Sequence, residues 1–250
     1  MKKIVIIGAN DFQNQLILKA KEMGFETHVF AWQDGSIGER TADYFYPVSI
    51  VEIDEILEKC KEIKPDAVAT IASDLANITV SKVAAGLGLP GNTPECIEIS
   101  TNKYAMRSAF LKAGIPTPAF YKVDQAQDEL YKMKLPVIVK PTDRSGSRAI
   151  TKITDFKDLE GAIQDAVEQS FEKKAIVEEY IEGNEYSYET ISYRGKHTNL
   201  AVTKKYTTGA PHFIETGHCE PSDLSEEMLK KVHKTMYAAL DALQITDGAS

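Results

Sequence analysis

Cysteine is scarce in this chain. Cys60, Cys96 and Cys219 are far apart, odd in number and without zinc-ligand spacing. That excludes a disulfide-stapled secreted fold and predicts a reducing, cytoplasmic setting. Positive charge is also in deficit. Against 37 Asp and Glu stand 29 Lys and Arg, a formal net charge of -8. Such a balance argues against a general binder of nucleic acid or anionic membrane, and it leaves room for a local basic pocket. No long apolar run occurs. The first one, residues 4–7, ends at Gly8 and Asn10, too short for a signal-peptide core or a membrane span. There is no internal repeat and no low-complexity tract. Two phosphate-binding signatures are missing as well. The Walker A spacing is absent, and Asn10 and Gln13 stand where the later glycines of G-x-G-x-x-G would follow Gly8. A nicotinamide-dependent oxidoreductase therefore has only one βα turn in its favour.

What is present begins with bulk. The chain has 250 residues, 43% apolar and 26% charged, a soluble globular composition with room for one large domain or two to three small ones. Its most informative stretch is Leu135-Pro136-Val137-Ile138-Val139-Lys140-Pro141, followed by Thr142-Asp143-Arg144-Ser145-Gly146-Ser147-Arg148. The β-branched run predicts a buried strand that delivers Lys140 at its exit, and Pro141 stops the ladder. The loop after it offers hydroxyls, N–H groups and guanidinium groups to an anion, with Gly146 permitting close approach. Read alone, this is either a phosphate grip or a strand ending in a solvated lysine.

Before that stretch, strands alternate with helices. Residues 4–7 and 27–31 read as strands around a helix with Phe12, Leu16, Ala20 and Met23 on its apolar face. Residues 52–63 form an amphipathic helix in which Cys60 fits the apolar stripe, and 67–71 a further strand. Ser73 or Asp74 can cap the helix that follows. This is a doubly wound, Rossmann-like beginning. Pro90-Gly91-Asn92-Thr93-Pro94 marks a boundary. Two short helices come next, the second capped by Ser100 or Thr101. After Pro118 the pattern predicts strands at 119–123, 137–140, 149–153 and 175–181, with helices at 124–133 and 155–170. A hairpin over 185–206 and a last helix over 225–243 complete the reading.

Taken in order, these pieces resemble the ATP-grasp superfamily, in its carboxylate-amine ligase and carbamoyl-phosphate-synthase-like branch. The carrying segments are Thr101-Asn102-Lys103-Tyr104-Ala105-Met106-Arg107, Gly114-Ile115-Pro116-Thr117-Pro118, the Lys140 strand with its Ser145-Gly146-Ser147 loop, and Ile176-Val177-Glu178-Glu179-Tyr180-Ile181-Glu182-Gly183-Asn184-Glu185. The resemblance implies an α/β fold, α+β in the lid: a Rossmann-like pre-ATP-grasp domain (1–93), a helical linker (94–117), a small lid subdomain (118–181) and part of a large subdomain (182–250). It implies ATP and Mg2+ as cofactors and ATP-dependent activation of a small-molecule carboxylate as an acylphosphate for attack by an amine. It also implies that the first sheet can support a homodimer, with no nucleic-acid or membrane partner.

Residue roles follow from the same resemblance. Lys103 and Lys140 would meet the phosphates, and Ser145, Gly146 and Ser147 would close over them as a hinged loop. Glu178, with backbone groups of Glu179 and Ile181, would read adenine, and Glu185 would accept from the ribose. Glu215 and His218 would border the acceptor site. Without the upstream lysines, Glu178, Glu179 and Glu185 read as a solvated acidic strand edge. The acidic residues that hold magnesium in this family lie on strands after the last helix, so the fold is expected to be incomplete at its C-terminus, with no metal ligand before Ser250 and poor turnover. A non-catalytic adenine-nucleotide-binding module is the alternative this raises.

Overall fold

The computed structural model describes residues 1–146, 148–210 and 213–250. They form two compact units, Met1–Glu98 and Ile99–Ser250.

The first unit is a four-stranded parallel sheet. Its strands are β1 (Lys3–Ile7), β2 (Glu26–Phe30), β3 (Tyr44–Tyr46) and β4 (Ala67–Ala69), in the order β3-β2-β1-β4. Successive side chains of a strand face opposite sides, which is why β1 is apolar throughout. Val5 and Ile7 join Phe30, Ile56 and Cys60 on one side, where α3 (Ile53–Ile63) and α4 (Asp74–Leu87) pack. Ile4 and Ile6 join Ile17, Ala20 and Val29 on the other, beneath α1 (Asp11–Glu22). Burial pushes the Cys60 thiol up to about 12, so this cysteine is a core residue without thiolate character at neutral pH. Ser73 accepts from the Ala76 N–H and caps α4. A short helix α2 (Ile37–Thr41) and β3 arise between elements that periodicity alone left unassigned.

One expectation about this unit is overturned. The buried face of α1 is Gln13, Asn14, Ile17 and Ala20, whereas Phe12 and Met23 are about two-thirds exposed (66% and 65%). Two polar residues turned inward rotate the helix relative to the stripe that apolarity alone would choose.

Helix α5 (Pro94–Thr101) crosses the boundary and leads to α6 (Lys103–Lys112) in the second unit. Asn102, rather than Ser100 or Thr101, caps α6: its carboxamide oxygen accepts from the Tyr104 and Ala105 N–H groups. The sheet of this region has the order β5-β8-β6-β7, from β5 (Phe120–Val123), β6 (Val137–Pro141), β7 (Thr151–Ile153) and β8 (Ala175–Glu179), all antiparallel. Val137, Val139, Ala175 and Val177 face α7 (Leu159–Gln169) in a core with Leu159 and Ile163. Their alternate neighbours Ile138, Lys140, Ile176 and Glu178 face the other way. The helix expected over 124–133 is not formed. Only a 3-10 turn appears there, Leu130–Lys132. Ala126, Leu130 and Met133 still reach the core, and Asp124 is tied to Lys174. Ten residues are too few for propensity alone to hold a helix against such anchors.

A second antiparallel sheet, β11-β10-β9-β12, contains β9 (Glu185–Tyr193), β10 (Lys196–Thr207), β11 (Glu215–Cys219) and β12 (Gly248–Ala249). Helix α8 (Glu226–Ala242), capped by Ser225, lies against β10. Among the described residues no helix is long and apolar enough to cross a membrane.

The rotation of α1 is testable by urea denaturation. Ile17→Ala, which empties a fully buried site, is expected to lower stability by about 2–5 kcal/mol. Phe12→Ala is expected to change it by less than about 0.5 kcal/mol.

Candidate functional site

The inner arrangement starts from strand register. Ile138 on β6 and Phe120 on β5 both pair with Glu178 on β8, so Lys140, two residues along β6, lies diagonally across from Glu178 on the same face. The Lys140 ammonium donates to Glu178 Oε1, and Arg107 Nε donates to Glu178 Oε2 at 3.0 Å. Glu178 is 5% exposed. Burial pushes its carboxyl up, but the charges of Lys140 and Arg107, with their hydrogen bonds, overcome that and hold it below its ordinary value. The group is therefore an ionised acceptor fixed between two cations.

Arg107 arrives from α6, where it stands four residues after Lys103. That spacing puts both side chains on one helix face, about 6 Å apart along the axis. Tyr104 packs edge-on against Phe120, with ring centroids 5.5 Å apart, and seats the helix over this part of the sheet. Lys103 reaches the loop that follows β6. Its backbone N–H donates to Thr142 O at 2.7 Å and its ammonium donates to Arg144 O. The base of that loop is anchored: Asp143 accepts from the Phe171 and Glu172 N–H groups, and the Arg144 guanidinium lies over the Phe171 ring. Beyond the anchor, Ser145 and Gly146 are exposed. Gly146 has φ +72° with open space around it. Ser147, the third residue expected in this loop, lies outside the described residues.

At the end of β8 the chain turns out of the sheet. The Glu179 N–H donates to Ala119 O and the Tyr180 N–H to Pro136 O. The Lys152 ammonium sits 3.7 Å from the centre of the Tyr180 ring. The Glu179 N–H is thus committed within the sheet, while the Ile181 side chain is exposed.

The second sheet brings three more expected residues together. Glu185 on β9 pairs with Lys205 on β10, which pairs with His218 on β11. Lys205 Nζ lies 2.6 Å from Glu215 and 3.8 Å from Glu185, and His218 Nε2 lies 3.5 Å from Glu215. The Lys205 hydrogen bond and charge hold the Glu215 carboxyl below its ordinary value. Lys205 and Arg107 were given no role by the sequence reading. A signal existed for both. Arg107 repeats Lys103 at helical spacing, and adjacent lysines in a strand, Lys204 and Lys205, must face opposite sides of it. Lys204 indeed pairs with Asp223 instead.

Elsewhere in this unit, Ser192, His197 and Asp241 form a hydroxyl–imidazole–carboxylate chain, with contacts of 2.8 and 3.2 Å. Ser192 is buried and Asp241 is exposed. A nucleophile needs the reverse, so the chain is a structural tie between α8 and the sheet. In the first unit, Gln13 lines a cleft together with Gly8, Asn10, Trp32 and Ser73. Its buried side chain lies against Gly8 and donates to Ile71 O at 2.5 Å.

Residues 133–250 match the ATP-grasp domain family. The chain is 28% identical over 224 residues to the alanine–anticapsin ligase of Bacillus subtilis strain 168, covering 79% of this chain and 47% of that protein. It is 28% identical over 167 residues to the D-alanine–D-alanine ligase of Lacticaseibacillus casei, covering 63% of this chain and 45% of that protein. Among solved structures, an L-amino acid ligase from Bacillus licheniformis superimposes with a TM-score of 0.86 at 25% identity, over 100% of this chain and 62% of that one. The chain thus spans about half the length of the curated relatives it matches. Residues 133–250 thus carry the match to the ATP-grasp domain family, and over its whole length the chain is similar in fold to an L-amino acid ligase.

Proposed function

We propose that this chain binds ATP on the face of the first antiparallel sheet that carries Lys140 and Glu178. The protein would use the nucleotide to join a carboxylate to an amine. The observation that carries the reading is the gathering of Lys103, Lys140 and the ionised Glu178 around one strand exit and its glycine-containing loop. Two ammonium groups suit a polyphosphate, which is recognised as charge more than as shape. In this reading Lys103 and Lys140 hold phosphates, and Ser145, Gly146 and Ser147 close over them. Glu178 accepts from the adenine amino group, the Glu179 carbonyl and the Ile181 backbone serve the same base edge, and Glu185 accepts from the ribose. Glu215 and His218 border the acceptor site.

The chemistry balances in two steps. A carboxylate oxygen attacks the γ-phosphorus and ADP leaves, giving an acylphosphate. The amine nitrogen then attacks the acyl carbon, loses a proton and expels inorganic phosphate. The protein contributes positioning and neutralisation of charge on the transferred group. Magnesium belongs to this reading as the ion that would neutralise charge on the phosphates. Among the described residues no group of three or more His, Cys, Asp or Glu converges into a metal site, so no residue is assigned to hold it. An oxidoreductase is not favoured, since Asn10 and Gln13 stand where the dinucleotide fingerprint requires glycines. A purely non-catalytic module is not favoured either, because the relatives above are named as ligases.

Incubation with ATP, magnesium and pairs of amino acids is the first assay, because the relatives are ligases of alanine and of L-amino acids. ATP binding with slow phosphate release and little amide product is expected; failure to bind ATP would sink the reading, and robust ligation would overturn the expectation of poor turnover. Calorimetry should show Lys140→Ala raising the ATP dissociation constant at least about tenfold, a loss of about 1.4 kcal/mol.

A pH test addresses Glu178 itself. A carboxyl held below its ordinary 4.5 contributes stability that is fully present above 4.5 and is lost as pH falls through the folded-state value. Glu178→Gln strands two partly buried cations and should be less stable than the parent by about 3–5 kcal/mol near neutrality. Urea denaturation should show that gap narrowing on acidification below 4.5. A gap independent of pH would mean that Glu178 is not ionised in the fold.

A further inference from the structure

Glu178 has two cationic partners where one would neutralise it, and the two come from different elements. Lys140 reaches it from β6, on a flexible stem that also serves the strand exit. Arg107 reaches it from α6, on a helix capped by Asn102 and seated by Tyr104 against Phe120. In the nucleotide reading, on which this inference rests, Lys140 turns its ammonium toward phosphate. That movement withdraws one positive charge from a buried carboxylate at the moment the base arrives. Without a second cation, burial would favour the protonated form. A protonated carboxyl presents a donor where the adenine amino group needs an acceptor.

We propose that Arg107 is a positioning residue for the nucleotide: it keeps Glu178 an unprotonated, correctly aimed acceptor for the purine 6-amino group when Lys140 is engaged with phosphate. Its guanidinium stays charged at any relevant pH and its Nε–Oε2 bond fixes one carboxylate oxygen, leaving the Lys140-facing oxygen for the base. The other groups on this face leave the task to it. Phe120 on β5 and Ile138 on β6, the register partners of Glu178, carry no charge. Lys122, two residues along β5, lies over the Tyr104 ring, 4.9 Å from its centre. Lys103 donates to Arg144 O in the loop. Arg107 thereby acts on base selectivity, through Glu178, without touching the phosphates.

The test compares affinities for ATP and inosine triphosphate, which share their phosphates and differ at position 6 of the purine. Taking the ratio of the two cancels the ionisation of the phosphates. Calorimetric titrations of the parent, Arg107→Gln, Arg107→Lys and Lys140→Gln run from about pH 8 to about pH 5.5. The parent is expected to prefer ATP with little change over that range. In Arg107→Gln the preference should decline as pH falls, by up to roughly tenfold per unit once Glu178 takes a proton. Arg107→Lys, which retains the charge, should restore the flat profile. Lys140→Gln should weaken both nucleotides together and keep the preference flat, since Arg107 remains. A pH-independent preference in Arg107→Gln overturns the proposal, and so does a pH-dependent one in Lys140→Gln, which decides the matter even if Arg107→Gln does not fold. A parent that binds both nucleotides equally removes Glu178 as a reader of the base and overturns it too. A parent that binds neither nucleotide is a distinct failure, that of the nucleotide reading itself.

Discussion

A carboxylate taken almost wholly out of water is the constraint on which the second unit turns. Glu178 stays ionised only because Lys140 and Arg107 hold both of its oxygens. The three residues lie on β8, β6 and α6, and Arg107 and Glu178 are 71 positions apart. The pairing therefore requires the strand register and the seat of the helix to be right together. Buried ion clusters of this kind seldom exceed the stability of apolar residues filling the same space, because desolvation offsets much of the attraction. The group is better explained by the acceptor it presents than by the stability it adds.

Strand alternation lets one sheet serve as core and as site. Val137, Val139 and Val177 are given to α7, and the residues between them are free to carry charge on the opposite face. The same logic divides Lys204 from Lys205, sending one to Asp223 and the other to Glu215 and Glu185. A shift of one residue in either ladder would exchange core for chemistry, so the register that packs the apolar side is also the register that assembles the charged side.

This explains what could be read in advance. The strand at Lys140, the amphipathic stripe through Cys60 and the cap at Ser73 depend on neighbours in sequence, and each was legible. The irregular path over 124–133 was not, since a local helical pattern yielded to long-range anchors at Leu130 and Lys174. The face of α1 was not, because Gln13 and Asn14 are polar and yet buried. The roles of Arg107 and Lys205 were hidden for another reason. A cation acquires meaning from the carboxylate it meets, and those carboxylates lie far along the chain. The contacts among Lys103, Lys140, Arg107 and Glu178 needed the fold, because they join residues far apart in sequence.

The first unit begins with a glycine turn of the kind that can present a helix N-terminus to an anion. A helix N-terminus after a glycine turn can hold an anion with its unpaired N–H groups. At α1 those groups are already engaged: Asn10 Oδ1 accepts from the Phe12 and Gln13 N–H groups. Gln13 then packs against Gly8. Gly8 has a positive φ of +100°, which lets the chain turn from β1 into α1. In the second unit the cations near the glycine-containing loop are lysine side chains, Lys103 on a helix face and Lys140 at a strand exit. A preformed backbone cradle holds its ligand in one geometry, whereas side-chain cations on a strand exit and a helix face can follow a phosphoryl group as it leaves the nucleotide.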